Sequence, residues 1–155
     1  MQKRTDALLN CGGTHRPEWF HRKLGDILYE GCGVARDEAG LLDALTKVRE
    51  LREEFWRDVK VVGTGNRLNQ ELEKAGRVAD FIELGEVMIL DALDRRESAG
   101  AHFRNEYATE AGEAKRNDGD WCAVSAWETR PDGTKVRHSE PLSFSLIDLQ
   151  VRDYR

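Results

Sequence analysis

The stretch ELEKAGRVADFIELGEVMILDALDRRESAG, residues 71–100, decides the fold of this chain. Its apolar residues recur every three or four positions, which is the period of an α-helix with a buried face. They form two adjacent stripes, which predict a buried face broader than a two-stranded coiled-coil seam. We expect a helix from about Asn69 to about Ala99, with its far side covering another domain. The first stripe holds Ala75, Ala79, Ile82, Ile89 and Leu93, and the second holds Val78, Phe81, Gly85, Met88 and Ala92.

Two further helices are predicted before this one. Pro17 stands where the start of a helix tolerates proline, and apolar residues then follow at helical spacing until Gly31 and Gly33. Asp37 is a suitable N-cap for the next helix. The charged residues of that helix are typical of a solvated surface, with a docking face as the alternative. Its apolar stripe comprises Leu41, Leu45, Val48, Leu51 (or Arg52), Phe55 and Val59.

Three such helices predict a mainly α fold, an antiparallel three-helix bundle of the spectrin-repeat type over residues 18–105. Residues 1–17 are polar and are expected to form a lead-in segment. Residues 106–155 are expected to form a loop and a small antiparallel β tail packed on the bundle, since two or three strands cannot stand alone. The three alternating segments that predict strands are Trp121–Trp127, Val136–His138 and Leu142–Leu146, with a turn at 131–134 and a bulge or bend near Leu146.

Composition excludes several classes of protein. The net charge is -5, and the basic residues are interleaved with acidic ones, so no concentrated basic face for nucleic acid is expected. No apolar run approaches the length that spans a bilayer, so direct membrane insertion is not predicted. The three cysteines, Cys11, Cys32 and Cys122, lack Cys-x-x-Cys spacing, which favours reduced thiols in the cytoplasm over disulfides or a zinc site.

No local motif predicts a cofactor or a metal in this chain. The four histidines show neither HxxxH nor HExxH spacing, so no metal site is expected. The turn VVGTGN, residues 61–66, contains a Gly-Thr-Gly but lacks a full dinucleotide fingerprint or a phosphate-loop lysine. Phosphate binding at this turn is therefore not predicted.

The polar end of the decisive stretch, RRESAGAHFRNEY at 95–107, is dense in residue types that catalyse reactions. The physics of helix ends offers a simpler interpretation. Arg95 and Arg96 suit a helix C-terminus, where cations meet exposed carbonyl groups, and Glu97 can pair back with an arginine. Gly100 is then the expected left-handed residue that stops the helix.

The same segment carries a family resemblance. The pattern R-x-E-S-x-G-x-H-x-R after an apolar helix resembles the C-terminal helical region of succinate dehydrogenase and fumarate reductase flavoproteins, and most closely their bacterial quinone-linked branch. The resemblance runs from about Thr5 to the last residue. Further segments agree in the same order: LREEFWRDVKV (51–61), ELEKAGRVADFIELGEVM (71–88), HFRNEY (102–107) and EPLSFSLIDLQVRDYR (140–155).

The resemblance implies an inactive piece excised from a longer FAD-dependent oxidoreductase. The parent would interconvert succinate and fumarate and exchange electrons with quinone through an iron–sulfur subunit, on the inner face of the cell membrane in a membrane-anchored complex. The flavin and the catalytic residues would lie in preceding domains, and this chain would pack on the flavin-binding domain near the iron–sulfur subunit. Interdomain or interface roles, not catalytic ones, are implied for Arg96, Glu97, Ser98, His102, Arg104, Arg152 and Tyr154.

Two other interpretations stay open. L-Aspartate oxidase has a related helical region and signature, although the tail at 140–155 favours the succinate/fumarate branch. A freestanding three-helix adaptor that binds proteins is the alternative from a different class. Ala99 and Ala101 also stand where relatives often carry other residues, which affects the details of the motif's contacts. An exposed apolar face on the isolated domain would favour a homodimer.

Overall fold

The computed structural model describes residues 2–150. The chain divides into two compact units, Met1–Arg116 and Asn117–Arg155. The predicted division at 105/106 and the predicted packing of the tail on the bundle stay predictions. In the part of the chain that the structure describes, no helix is long and apolar enough to cross a membrane.

The first unit begins with two helices, α1 at Gln2–Asn10 and α2 at Pro17–Gly31. Helix α1 lies within the predicted lead-in segment, where the sequence pattern did not indicate a helix, and its single buried residue is Leu8. Helix α2 begins at its proline and ends at Gly31, as predicted. Its buried residues are Pro17, Phe20 and Leu24, and the packing of these residues on neighbouring helices supplies most of the stability of α2.

Two longer helices complete the first unit. A two-residue strand β1, Ala35–Arg36, leads into α3 at Glu38–Asp58. The carboxylate of Asp37 accepts a hydrogen bond of 2.8 Å from the N–H of Gly40, which confirms the predicted N-cap. Helix α4 spans Gln70–Asp94 and is capped by Asn69. The predicted extension of α4 to about Ala99 is wrong, because the chain turns extended at Arg95.

Helices α2, α3 and α4 pack on one another in pairs and enclose one apolar core. Helix α3 runs antiparallel to α2, because Lys23 meets Glu54 whereas Gly31, later in α2, lies against Ala44, earlier in α3. It runs antiparallel to α4, because Arg49 meets Glu86 whereas Arg52, later in α3, meets Glu83, earlier in α4. All six predicted apolar positions of the α3 stripe are buried. Phe20 and Phe55 meet edge to face at the centre, with ring centroids 5.2 Å apart. The predicted three-helix bundle is confirmed.

The two predicted stripes of α4 differ in their burial. The first stripe faces the core, with only Leu93 partly exposed. The second stripe is split, because Phe81 and Met88 lie on the surface together with Leu84. The helices that pack on α4 therefore leave part of its apolar surface exposed. That this side of α4 covers another domain stays a prediction.

The second unit is a small hairpin. A single helical turn α5, Asp118–Trp121, precedes two antiparallel strands that pair along their whole length. A turn joins them in which Gly133 has φ of 86° and Thr134 donates to Asp132, as the residue types predicted. The predicted third strand at Leu142–Leu146 is wrong, because residues 142–150 form no strand. The hairpin strands are β3, Ala123–Thr129, and β4, Lys135–Pro141.

The first unit contains one further strand. This is the two-residue strand β2, Phe103–Arg104, which pairs in parallel with β1.

Candidate functional site

The motif segment, residues 95–107, begins where α4 ends. The N–H of Arg95 still donates to the carbonyl of Asp91 at 3.0 Å, and the chain then turns away from the helix axis. Because the last helical residue, Asp94, lies six positions before Gly100, that glycine is not the stop signal of the helix, and the predicted role is wrong. The side chains that follow α4 fold back onto its end.

Glu97 is a buried carboxylate with a fixed partner. Its side chain is 2% exposed, and its Oε1 accepts hydrogen bonds from Nε and Nη2 of Arg95 at 2.9 and 2.6 Å. The predicted pairing of Glu97 with an arginine is confirmed. A buried charge needs such a partner, because removing one side of a buried ion pair leaves the other uncompensated.

Ser98 ties the two ends of the motif segment together. Its hydroxyl oxygen accepts from the N–H of Arg104 at 2.8 Å, and the hydroxyl donates to the Arg104 carbonyl at 3.1 Å. Its own N–H donates to the carbonyl of Lys115 at 2.9 Å. The Ser98 side chain therefore substitutes for a β-bridge partner inside the fold.

The chain reverses direction between Ser98 and Arg104, which allows the two residues to form these hydrogen bonds. Ala99 and His102 exchange backbone hydrogen bonds of 2.8 and 3.1 Å, and Gly100 between them has φ of 58°. Only glycine adopts this left-handed conformation without strain. Gly100 is thus needed for the reversal that returns the chain to the end of α4.

Arg104 closes the C-terminal end of α4. Its guanidinium Nη1 donates to the carbonyls of Ala92 and Leu93 at 2.8 and 3.2 Å, and the side chain is 2% exposed. These carbonyls lack partners within the helix, so the cation satisfies them and offsets the helix dipole. We expected Arg95 and Arg96 to meet the terminal carbonyls; Arg104, ten residues beyond the helix, does so instead.

Glu106 completes the anchoring of Arg104 and was not predicted. Its Oε2 accepts from Nε of Arg104 at 3.1 Å, and its Oε1 accepts from the N–H of Glu38 at 2.5 Å. Burial raises the pKa of Glu106, but the N–H of Glu38 and the Arg104 guanidinium outweigh it, so the pKa lies below its usual range. Because Glu38 opens α3, this carboxylate links the motif segment to a second helix.

His102 lies half-buried over this arrangement. Its Nε2 donates to the carbonyl of Arg95 at 3.0 Å. Burial lowers the pKa of His102, the Arg95 carbonyl opposes that change, and the charges of Arg36, Arg95 and Arg104 lower it further. The imidazole is therefore neutral at pH 7 and acts as a hydrogen-bond donor to the backbone.

A cavity of about 220 Å³ lies beside His102, between the ends of α2 and α4. Arg36 at its edge donates to the carbonyl of Ala101 at 3.3 Å. Burial raises the pKa of the Cys32 thiol in its wall in spite of Arg36, so the thiol is protonated and a poor nucleophile. The residues of this cavity hold the fold together and offer no activated catalytic group.

The predicted site residues thus fall into three groups. Glu97, Ser98 and Arg104 are brought together in the interior, and His102 covers them. Arg96 is exposed. Arg152 and Tyr154 lie outside the described residues. The interface roles of all seven stay predictions.

Two polar clusters were missed in the sequence. Glu86 of α4 is buried between Arg49 and Arg52 of α3, at 2.8 and 2.6 Å. Desolvation raises the pKa of Glu86, but the two guanidinium groups outweigh it and lower the pKa. Its spacing of four from Ile82 was the available signal, because it places the carboxylate on the buried stripe.

The second missed cluster joins the lead-in segment to α3. His15 Nδ1 lies 2.5 Å from Oδ2 of Asp58, and Thr14 donates to the same carboxylate. The hydrogen bond from His15, followed by those from Thr14, lowers the pKa of Asp58 to about 2. No local pattern indicated this pair, since its members are 43 positions apart. Within residues 2–150, no group of three or more metal-ligating side chains is present.

Comparisons with known proteins point to one family. The family model described as the fumarate reductase flavoprotein C-terminal domain matches residues 21–154. The succinate dehydrogenase flavoprotein subunit of Bacillus subtilis (strain 168) is 27% identical over 148 residues, which is 95% of this chain and 24% of that protein. The fumarate reductase flavoprotein subunit of Escherichia coli (strain K12) is 30% identical over 104 residues, covering 67% of this chain and 17% of that protein.

The fold agrees with solved structures. A chain of a quinol fumarate reductase variant from E. coli superposes with a TM-score of 0.80 at 24% identity, over 95% of this chain and 24% of that one. A succinate dehydrogenase complex from Mycobacterium smegmatis gives a TM-score of 0.72 at 22% identity, over 94% of this chain and 24% of that one. The chain spans about a quarter of the length of these proteins.

Proposed function

This chain belongs to the family of succinate dehydrogenase and fumarate reductase flavoprotein C-terminal domains, and from that premise we propose that its parent enzyme interconverts succinate and fumarate. Electrons would pass between the flavin and quinone through an iron–sulfur subunit. The observation that carries this proposal is the family match over residues 21–154, which includes the whole motif segment. In this proposal the domain itself supports the flavoprotein and performs no chemistry.

The cofactor of the parent would be FAD, and in this proposal the present chain does not hold it. The best local candidate for a diphosphate is the turn at 61–66, which precedes α4 as a phosphate-binding loop would. Asn69 occupies that position, because its amide donates to the carbonyls of Val62 and Thr64 at 3.0 and 3.2 Å. Its Oδ1 accepts from the N–H of Leu72 at 3.1 Å, so that donor of the helix terminus is already satisfied. FAD would therefore be held by the preceding flavin-binding region.

The motif segment would form part of the surface that packs on the flavin-binding region, and its shape would be set before the two domains meet. Glu97, Ser98 and Arg104 are satisfied inside the domain, so their part in the interface is to hold its shape. Arg96 is exposed and His102 is half-buried, so these two are the members that can contact another surface directly. The interface roles of Arg152 and Tyr154, which lie outside the described residues, belong to the same proposal. The complex would lie on the cytoplasmic face of the cell membrane, anchored by other subunits.

The first test is the reading frame that contains this chain. A continuous frame encoding a flavin-binding region upstream supports the proposal. The product of that frame, purified with flavin, should reduce an artificial electron acceptor with succinate and not with L-aspartate. Activity with L-aspartate alone would favour the aspartate oxidase alternative. A ribosome-binding site directly before codon 1, with no flavin-binding region in frame, would favour the freestanding adaptor.

A second test uses the 155-residue chain alone. Its absorbance spectrum after purification should lack the flavin bands, because the Asn69 side chain already bonds the turn at 61–66 and a donor of the α4 N-terminus. Bound FAD in this chain would contradict the assignment of the cofactor to another region. The variant Asn69→Ala is the matched control, since it empties that position and tests whether the loop itself has any affinity for FAD.

A further inference from the structure

An apolar groove lies on the surface between α2 and α4, and its residue Met88 also lines the cavity beside His102. Its cavity is about 240 Å³, smaller than the roughly 300–1,000 Å³ of sites that take small-molecule ligands. It is of the size that one side chain of a protein partner fills. We call it the Gly25 groove; it is lined by Leu24, Gly25, Leu28, Phe81, Leu84 and Met88.

The far wall of the Gly25 groove is the surface stripe of α4. Phe81, Leu84 and Met88 are 41%, 55% and 47% exposed, at spacings of three and four residues. They form one continuous ridge, because side chains at these spacings share a helix face. Isolated apolar residues on a surface are ordinary, whereas a contiguous apolar ridge beside a groove marks an interaction site.

The two glycines of the groove, Gly25 and Gly85, differ in what surrounds them. A Cβ added at Gly85 would lie 3.3 Å from Leu24 and 3.4 Å from Leu28, so that glycine is explained by the contact between α2 and α4. A Cβ added at Gly25 would meet nothing within 4 Å. Glycine inside a helix costs about 1 kcal/mol relative to alanine. The described part of the chain supplies no steric reason for this cost at Gly25.

We propose that the Gly25 groove receives an aliphatic or aromatic side chain from the flavin-binding region of the same polypeptide. This inference rests on the proposed function and adds the place and the chemistry of the interdomain contact. The relatives are about four times as long as this chain, so most of the polypeptide lies outside it. The groove is almost entirely apolar, with His21 at its edge as its one ionisable side chain. Obligate interfaces are more apolar than transient ones, so this composition favours a permanent neighbour in the same polypeptide.

The experiment compares two substitutions in the 155-residue chain, Gly25→Met and Gly76→Met. Both glycines lie inside helices, and a Cβ at either position meets nothing within 4 Å. Both variants should therefore fold, which circular dichroism checks, but only methionine at position 25 fills the groove. Fluorescence of anilinonaphthalene sulfonate should fall several-fold in Gly25→Met and stay at the wild-type level in Gly76→Met. Equal fluorescence in all three proteins would overturn the groove as a site.

Two further readouts identify the occupant. In the complete flavoprotein the wild type should bind much less of the dye than the isolated domain, because the groove is filled. Gly25→Met should there raise dye binding and the rate of proteolysis between the domains, while Gly76→Met should change neither. Wild-type flavoprotein that binds the dye as strongly as the isolated domain would overturn the proposed occupant.

A second copy of the chain is the competing occupant. If the isolated domain elutes as a dimer on gel filtration and Gly25→Met makes it a monomer, the groove serves self-association and the proposal is overturned. Failure of this inference is distinguishable from failure of the proposed function. A flavoprotein that oxidises succinate but responds identically to both glycine variants contradicts the groove alone, whereas a reading frame without a flavin-binding region contradicts both.

Discussion

The motif segment and the Gly25 groove are opposites in how they use their residues. The motif segment is rich in charge and hydroxyl groups, yet Glu97, Ser98 and Arg104 are turned inward and satisfied by the domain itself. The groove is apolar, yet Phe81 and Met88 are turned outward. The charged residues at these three positions therefore close the domain on itself, whereas the groove keeps apolar side chains on the surface.

The largest expected effect comes from removing the buried cation of the motif segment. Arg104→Met should lower the free energy of unfolding by about 3 kcal/mol, because the last carbonyls of α4 and the Glu106 carboxylate lose their partner. Urea denaturation followed by circular dichroism measures the loss. The matched control is Arg96→Met at the exposed neighbouring arginine, which should stay within about 0.5 kcal/mol of wild type. Equal losses in the two variants would contradict the inward role of Arg104.

A smaller loss is expected at the buried hydroxyl. Ser98→Ala should lower the free energy of unfolding by about 2 kcal/mol, since the N–H and carbonyl of Arg104 are left unpaired in the interior. The control is Ser143→Ala, at an exposed serine in the second unit, which should have almost no effect. If Ser98→Ala is as mild as that control, the polar interior of the motif segment tolerates unpaired groups, and its contrast with the groove weakens.

In the groove the expected change has the opposite sign. Gly25→Ala should raise the free energy of unfolding of the 155-residue chain by about 0.5–1 kcal/mol, because alanine favours the helix and meets no neighbour within 4 Å. Gly76→Ala should give a similar gain for the same reason. Thermal unfolding of the two variants side by side makes the measurement. A loss at position 25 alone would mean that the chain itself already occupies the groove.

The smallest effect is a pH dependence at the motif segment. The folded pKa of His102 lies below its unfolded value near 6.5, so the unfolded chain binds the proton more readily. The contribution of His102 to stability is therefore complete above about pH 6.5 and is lost as the pH falls through the folded pKa. Urea midpoints recorded from pH 7.5 to pH 5 should fall less steeply in His102→Gln than in wild type. Equal slopes in the two proteins would contradict the link between protonation of His102 and folding.

Much of the fold was readable from local patterns. The six-residue stripe of α3, its Asp37 cap and the proline that opens α2 were all predicted at the positions where they occur. These features depend on residues within one or two turns of each other, so spacing alone reveals them. The third strand failed because alternation in residues 142–150 indicates an amphipathic strand but supplies no partner for it.

The motif segment was recognised from sequence, although its geometry was not. Its residue types were compatible with catalysis, with helix termination or with an interface, and family resemblance decided only which protein it belongs to. The contact between Arg104 and the carbonyls of Ala92 and Leu93 depends on the reversal at Gly100. A left-handed glycine was predicted there, but the place where the chain returns after it was not.

The three-helix bundle, the hairpin turn and the family could all be inferred from the amino-acid sequence, because periodicity, capping residues and motif order are properties of neighbouring positions. Which polar residues are interior and which apolar residues stay exposed became known from the packing of the helices. Glu86 is buried because α3 brings two arginines to it across the bundle. Phe81 is covered only in part, by the His21 ring of α2 at a centroid distance of 5.6 Å, and stays 41% exposed. Burial is a property of what lies opposite a residue in space, and one-dimensional spacing does not contain that information.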